Sequence, residues 1–310
     1  MKTDKLKRLM KAAAENGLVV PAFNVAYLPM VKPISETLAE LRVLGMAEVA
    51  RPDYEKFGAV SIKAVAEEYR RSADPRFVTL HMDHVPVIDE DKLPVDWEPI
   101  IAEAISRGFD SVMLDGSRLS FAENIAAVAK AARLAHEQGV LVEAELGAVM
   151  GHESGPMPPY DEIFKQKMGF TKPEQAAEFV RKTGVDWLSV SCGSIHGAIS
   201  GAAKDRKKPE AKIDIEHLKK LRLAAGVPLV LHGGSGVQKT YVLEAVKNGI
   251  AKINIGTEIR QAYEQNLGPD GKNIEAARTA VSRSIRELVN DVYRIAGSAE
   301  KLYRLTGEKL

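Results

Sequence analysis

A single cysteine, Cys192, stands in the 310 residues. No intramolecular disulfide can form, which excludes a small disulfide-stapled fold. Charge of one sign is missing too: 43 basic side chains stand against 42 acidic ones, a formal net of +1. No polybasic surface is left over for nucleic acid or an anionic membrane. The longest weakly charged stretch, Leu18 to Val31, is interrupted by Pro21, Asn24 and Pro29. It falls short of the roughly 20 apolar residues that span a bilayer. The first ten residues carry charge where a signal peptide has its apolar core. Together these absences predict a cytoplasmic protein with a small-molecule site, without nucleic acid or membrane as partner.

What is present is a repeated alternation. Eight short apolar runs recur: Leu18–Val25, Leu44–Ala50, Phe77–His84, Ser111–Ser117, Leu141–Gly147, Trp187–Gly193, Pro228–Gly234 and Ala251–Thr257. Most are nearly continuous in aliphatic residues, the pattern of parallel strands covered on both faces. Between them lie segments of helical spacing: Met30–Glu40, Val60–Arg71, Trp97–Arg107, Phe121–Gln138, Pro173–Thr183, Ile215–Ala225 and Lys239–Asn248. Thr171-Lys-Pro-Glu reads as a capping box, and Gly108, Gly139, Gly184, Gly226 and Gly249 as helix ends. Eight strand-helix units predict an α/β fold, a (β/α)₈ TIM barrel, because each parallel return needs a crossover and eight strands close without an edge. A doubly wound sheet is the alternative, but no Gly-x-Gly-x-x-Gly follows the first run. The expectation is one barrel domain over residues 1–310. Its C-terminal helical extension covers about 274–310, with a long helix Ile274–Ile295 and a short one near Ala299–Leu305.

In such a barrel the C-terminal strand ends form the active site. Here they carry Asp83 and His84, Asp115, Glu143 and Glu145, His196, His232, Asn254 and Thr257. His84, His196 and His232 converging on one mouth match an open zinc site of three ligands. A hydrogen-bonded strand-end histidine is the plainer reading of each. Asp83 can be a ligand or the general acid/base that moves a hydroxyl proton. Asp115, Glu143 and Glu145 can orient ligands, offer a second metal position or form salt bridges inside the barrel. His136 and His217 fall in helices and read as surface residues. Gly233, Gly234 and Ser235 after strand seven, and Thr257 after strand eight, fit a phosphate cradle.

These segments resemble the class II, metal-dependent fructose-bisphosphate and tagatose-bisphosphate aldolases. The likeness runs through Val20-Pro-Ala-Phe-Asn-Val25, Leu80-His-Met-Asp-His84, Gly108 to Ser117, Val142-Glu-Ala-Glu-Leu-Gly147, His196-Gly-Ala198, Leu229 to Gly236 and Gly249-Ile-Ala-Lys-Ile-Asn254. It implies His84, His196 and His232 as ligands of a catalytic Zn2+ and Asp83 as the acid/base. Glu145 and Asp115 match an alternative metal position, and Glu153 a loop carboxylate in proton transfer. Gly197, Gly233, Ser235 and Thr257 match the phosphate cradle for dihydroxyacetone phosphate, with a monovalent cation, Na+ or K+, nearby. The implied activity is reversible cleavage of a ketose (bis)phosphate to dihydroxyacetone phosphate and an aldehyde. Asn254 would bond the enediolate edge, and Gly151 to Pro159 would close over the site. The implied partner is a sugar phosphate, and the implied assembly a homodimer or homotetramer.

Four departures bear on the distal half of the substrate. Strand two ends Val49-Ala-Arg51-Pro52 rather than in small residues; Ala-Ile-Ser200 lacks a lysine; Ala203–Lys212 lengthens a loop; and an Asp-Pro-Arg segment is missing after Leu267. Arg51 at a strand end is a candidate for a distal anion, or for a salt bridge with its own helix. The alternatives are an aldolase with a non-phosphorylated or otherwise anionic distal aldehyde, a Schiff-base aldolase using Lys252, and a non-catalytic partner subunit.

Overall fold

The structure is a computed structural model in which residues 3–148, 158–195, 211–234 and 237–310 are described. The apolar runs form β1 (Val20–Asn24), β2 (Gly45–Ala50), β3 (Val78–Pro86), β4 (Ser111–Asp115), β5 (Leu141–Leu146), β6 (Trp187–Val190), β7 (Leu229–Leu231) and β8 (Ile250–Ile255). They pair in parallel in sequence order, and β8 closes on β1. This is the (β/α)₈ TIM barrel.

Helix α1 (Thr3–Glu15) precedes the barrel. Then α2 (Val31–Glu40) follows β1, α3 (Arg51–Glu55) and α4 (Ile62–Ser72) follow β2, and α5 (Trp97–Ser106) follows β3. α6 (Phe121–His136) follows β4, α7 (Tyr160–Gln166) and α8 (Pro173–Thr183) follow β5, α9 (Ile215–Ala225) follows β6, and α10 (Lys239–Lys247) follows β7. After β8 come α11 (Thr257–Gln265), α12 (Ile274–Glu287) and α13 (Ser298–Thr306). The predicted long helix from Ile274 ends as an α-helix at Glu287. A π-helical stretch, Leu288–Tyr293, continues it, with Leu288, Val289 and Tyr293 buried.

Strand alternation sorts the side chains. Val49, Leu80, Met82, Val142, Ala144, Leu188, Val230, Ile253 and Ile255 are buried in one hydrophobic cluster with the helices. Each large aliphatic contributes roughly 1.5–3 kcal/mol on burial. The opposite parity brings Glu48, His81, Glu143 and Lys252 together inside the barrel, all with no solvent exposure. Buried charges are tolerated only when paired, and these are.

Capping is used elsewhere than predicted. At α6, Ser120 Oγ accepts the Glu123 N–H and Glu123 returns a carboxylate to the Ser120 N–H at 3.0 Å. Thr171 does not cap α8, whose N-cap is Lys172. Its hydroxyl instead donates to the Leu146 carbonyl and accepts the Ser191 N–H, tying the ends of β5 and β6. His136 and His217 lie at the surface as expected, exposed and half-buried, and each also makes a hydrogen bond. His136 Nε2 meets the Asp186 carboxylate at 2.8 Å, which also takes Lys7 and the Val142 N–H. His217 Nε2 donates to the Thr171 carbonyl at 2.8 Å. Among the described residues, no helix is long and apolar enough to cross a membrane.

Candidate active site

Asp83 and His84 are consecutive, and plain alternation would send them to opposite faces of β3. The strand does not end there; it runs to Pro86. Its register against β4 shifts between Met82 and Val85, and His84 has φ +30°. A bulge with one residue in the left-handed region re-aims the chain, and both side chains reach the mouth.

Each histidine there has one ring nitrogen on a carboxylate. His84 Nδ1 lies 3.2 Å from Asp115 Oδ2, and His232 Nε2 lies 2.7 Å from Glu143 Oε1. A carboxylate only accepts, so these nitrogens carry the N–H. The other nitrogens, Nε2 of His84 and Nδ1 of His232, meet at 2.6 Å, where one ring donates a proton to the lone pair of the other. A metal ion bound here would displace that proton. Burial would lower His84, but the charge of Asp83 and the Asp115 hydrogen bond outweigh it and raise the group to about 10. The field at this point holds positive charge. Donor atoms of Asp83, His84 and His232 lie within 4.8 Å of one another, as do those of His84, Asp115 and Glu145. Imidazole nitrogens with carboxylate orienters are the donor set of zinc sites, so these residues fit a divalent metal.

Asp83 is held from both sides. Asn24 Nδ2 donates to its Oδ2 and Asn254 Nδ2 to its Oδ1, each at 2.9 Å. Burial would raise this carboxyl, yet His84, His232 and Lys252 hold it at about 2, so it is ionised. Below it, Lys252 Nζ donates to Asn254 Oδ1 at 2.7 Å and pairs with Glu143 at 3.0 Å and Glu48 at 3.2 Å. Burial lowers a lysine, but these carboxylates raise Lys252 above its ordinary value. A fully buried, protonated ammonium is no amine nucleophile, which removes the Schiff-base reading. Glu143 also accepts Trp187 Nε1–H at 2.7 Å. It anchors the barrel interior and orients His232.

At β7 and β8, Gly233 has φ +68°, and a Cβ on Gly234 would stand 2.3 Å from Ile253 Cγ2. Glycine is required at both. Thr257 opens α11, so backbone donors and a helix N-terminus meet beside Asn254. Arg51 opens α3; its Nε lies 2.7 Å from Glu55 and its Nη1 3.2 Å from Asp89. Glu153, His196, Gly197 and Ser235 lie outside the described residues. Sequence reading missed the parts played by Asn24 and Glu48. A polar residue closing an apolar strand was the available signal for Asn24, and an inward-parity carboxylate matching Lys252 was the signal for Glu48.

The fold agrees with the comparisons. The sequence model of the family described as class-II fructose-bisphosphate aldolase matches residues 4–301. A protein of Bacillus subtilis (strain 168), named "Probable fructose-bisphosphate aldolase", is 33% identical over 258 residues, 82% of this chain and 81% of that one. The crystal structure of the YdjI aldolase from Escherichia coli K12 superposes with a TM-score of 0.73 at 26% identity, covering 95% of this chain and 98% of that one. A fructose-bisphosphate aldolase from Campylobacter jejuni has a TM-score of 0.71, 18% identity and 95% coverage of both chains, a likeness of fold alone. The chain belongs to the class II fructose-bisphosphate aldolase family. It is therefore an aldolase, a carbon–carbon lyase of a metal-dependent class that acts on sugar phosphates.

Proposed function

We propose that the chain catalyses reversible retro-aldol cleavage of a ketose phosphate to dihydroxyacetone phosphate and an aldehyde, with Zn2+ held by His84, His232 and His196. The observation that carries this reading is the facing pair of His84 Nε2 and His232 Nδ1 beside the doubly hydrogen-bonded Asp83. Bound there, zinc supplies a Lewis acid for the negative charge left when the carbon–carbon bond breaks.

Asp83 takes the C4 hydroxyl proton on cleavage and returns it on condensation. Asn254 orients Asp83 and bonds the enediolate edge. Backbone donors at Gly233, Gly234 and Thr257, with Gly197 and Ser235, hold the phosphate, and Na+ or K+ sits beside it. Glu153 moves the C3 proton. His84, Asp115 and Glu145 supply an alternative metal position. The enzyme is a cytoplasmic homodimer or homotetramer.

The test is metal analysis of the purified protein, followed by a metal-supplemented condensation screen of dihydroxyacetone phosphate with varied aldehydes. The expected result is stoichiometric zinc, a ketose phosphate product, inactivation by a chelator and insensitivity to borohydride with substrate. A metal-free protein that condenses no aldehyde would overturn the reading and leave a non-catalytic partner subunit.

A further inference from the structure

The end of β2 holds a carboxylate that the reaction as described does not use. Asp53 is the third residue of α3, and its Oδ2 accepts the Ala50 N–H at 2.8 Å. It is 7% exposed. The Asn24 side chain hydrogen-bonds to it as well as to Asp83. One amide thus links two carboxylates, and Asp53 stands a single side chain away from the group that serves the C4 oxygen. That is the acceptor side of Asp83, since the phosphate of the donor half belongs with Gly233, Gly234 and Thr257.

The charges of this corner are already spoken for. Arg51 spans Glu55 and Asp89, and Lys56 pairs with Glu90. Asp53 makes no ion pair with a cation among the described residues. Four carboxylates, of Asp53, Glu55, Asp89 and Glu90, therefore share two cations, Arg51 and Lys56. Among the described residues of this corner, an incoming phosphate finds no cation without a carboxylate partner, and one buried carboxylate without a cation. A hydroxyl finds an acceptor.

Resting on the aldolase reading, we propose that Asp53 is a specificity-determining residue that selects an uncharged, hydroxylated aldehyde as acceptor and discriminates against an aldehyde phosphate. In condensation, C3 of dihydroxyacetone phosphate loses a proton and bonds the aldehyde carbon, whose oxygen gains a proton. The product is then a ketose 1-phosphate with a neutral distal end. A carboxylate accepts hydrogen bonds from the acceptor's hydroxyls, whereas an ionised phosphate has no proton to give it and repels it.

The experiment compares kcat/KM of the holoenzyme at about pH 8.5, where Asp53 is ionised, for D-glyceraldehyde and D-glyceraldehyde 3-phosphate, each with dihydroxyacetone phosphate. Exchange of the donor's C3 proton with deuterated solvent is followed by NMR in parallel. Wild type should prefer the uncharged aldehyde by about tenfold or more, the scale on which one unfavourable polar contact discriminates. Asp53→Asn keeps an acceptor for the Ala50 N–H and removes the charge. It should shrink the preference by about tenfold, mainly through KM of the phosphorylated aldehyde. A wild-type preference for the aldehyde phosphate overturns the proposal even if the variant does not fold. So does an unchanged ratio in a folded Asp53→Asn. Donor exchange separates the layers: with exchange present, a wrong acceptor preference sinks only the role of Asp53. Absence of exchange and of all condensation sinks the aldolase reading.

Discussion

The Nε2 atom of His84 and the Nδ1 atom of His232 face each other at 2.6 Å, while the second nitrogen of each ring rests on a carboxylate. The two carboxylates thus fix which nitrogen of each ring faces the other. His84→Ala and His232→Ala should each lose stoichiometric zinc, measured by elemental analysis after dialysis. Asp115→Asn should keep the metal but bind it about 10- to 100-fold more weakly. Free zinc at about 1,000 times its dissociation constant should add roughly 4 kcal/mol to the stability of wild type. The same unfolding transition in His84→Ala and in wild type, with and without chelator, would remove the site.

The Asp83 clamp predicts a catalytic rather than a structural defect. Asp83→Asn should lower kcat by about 100- to 10,000-fold, and zinc stoichiometry should stay at the wild-type value. Loss of metal in step with activity would make Asp83 a ligand instead.

Lys252 is the cation that holds the barrel interior together. Glu48 and Glu143 face it, and its bond to Asn254 Oδ1 turns that amide so that its Nδ2 reaches Asp83. Lys252→Met should destabilise the fold by roughly 3–5 kcal/mol, because buried carboxylates lose their partner. Any folded fraction should show lower kcat with little change in KM. Denaturant unfolding and steady-state kinetics check both. A variant of wild-type stability would contradict the pairing.

The barrel and most of the mouth were legible in the sequence because they rest on local signals. Apolar runs alternate with helical spacing, and polar residues such as Asp83, Asp115, His232 and Asn254 stand at run ends. What was not legible depends on contacts between distant strands. The bulge at Asp83 and His84 leaves no composition cue, since the apolar run reads as ending at His84 while the strand continues to Pro86. The exchange of Thr171 from cap to strand tie depends on Leu146 and Ser191, 25 and 20 residues away. Arg51 at a strand end suggested an anion site; its two carboxylates, one of them on the segment after β3, become visible only once β2 and β3 lie side by side.

Asp53 makes the stability of the fold depend on pH. Burial comes first among the causes that raise its carboxyl from 3.8 to about 7, and the nearby Asp83 charge adds to it; hydrogen bonds from Ala50 and Asn24 and the charge of His84 oppose. The folded chain therefore holds this proton more tightly than the unfolded one. Its stabilising contribution is complete below pH 3.8 and is lost as pH rises through about 7. Above that, the ionised carboxylate costs the metal-free protein an amount of the order of 2–4 kcal/mol. Asp53→Asn removes the charge while keeping the acceptor for the Ala50 N–H. The variant should match wild type near pH 4 and exceed it by about 2–4 kcal/mol at pH 8.5. Denaturant unfolding of both proteins across this range gives a difference curve from which the other titrating groups largely cancel. A difference that stays flat between pH 4 and 8.5 would show that Asp53 is ionised throughout and that hydrogen bonds, not burial, govern it.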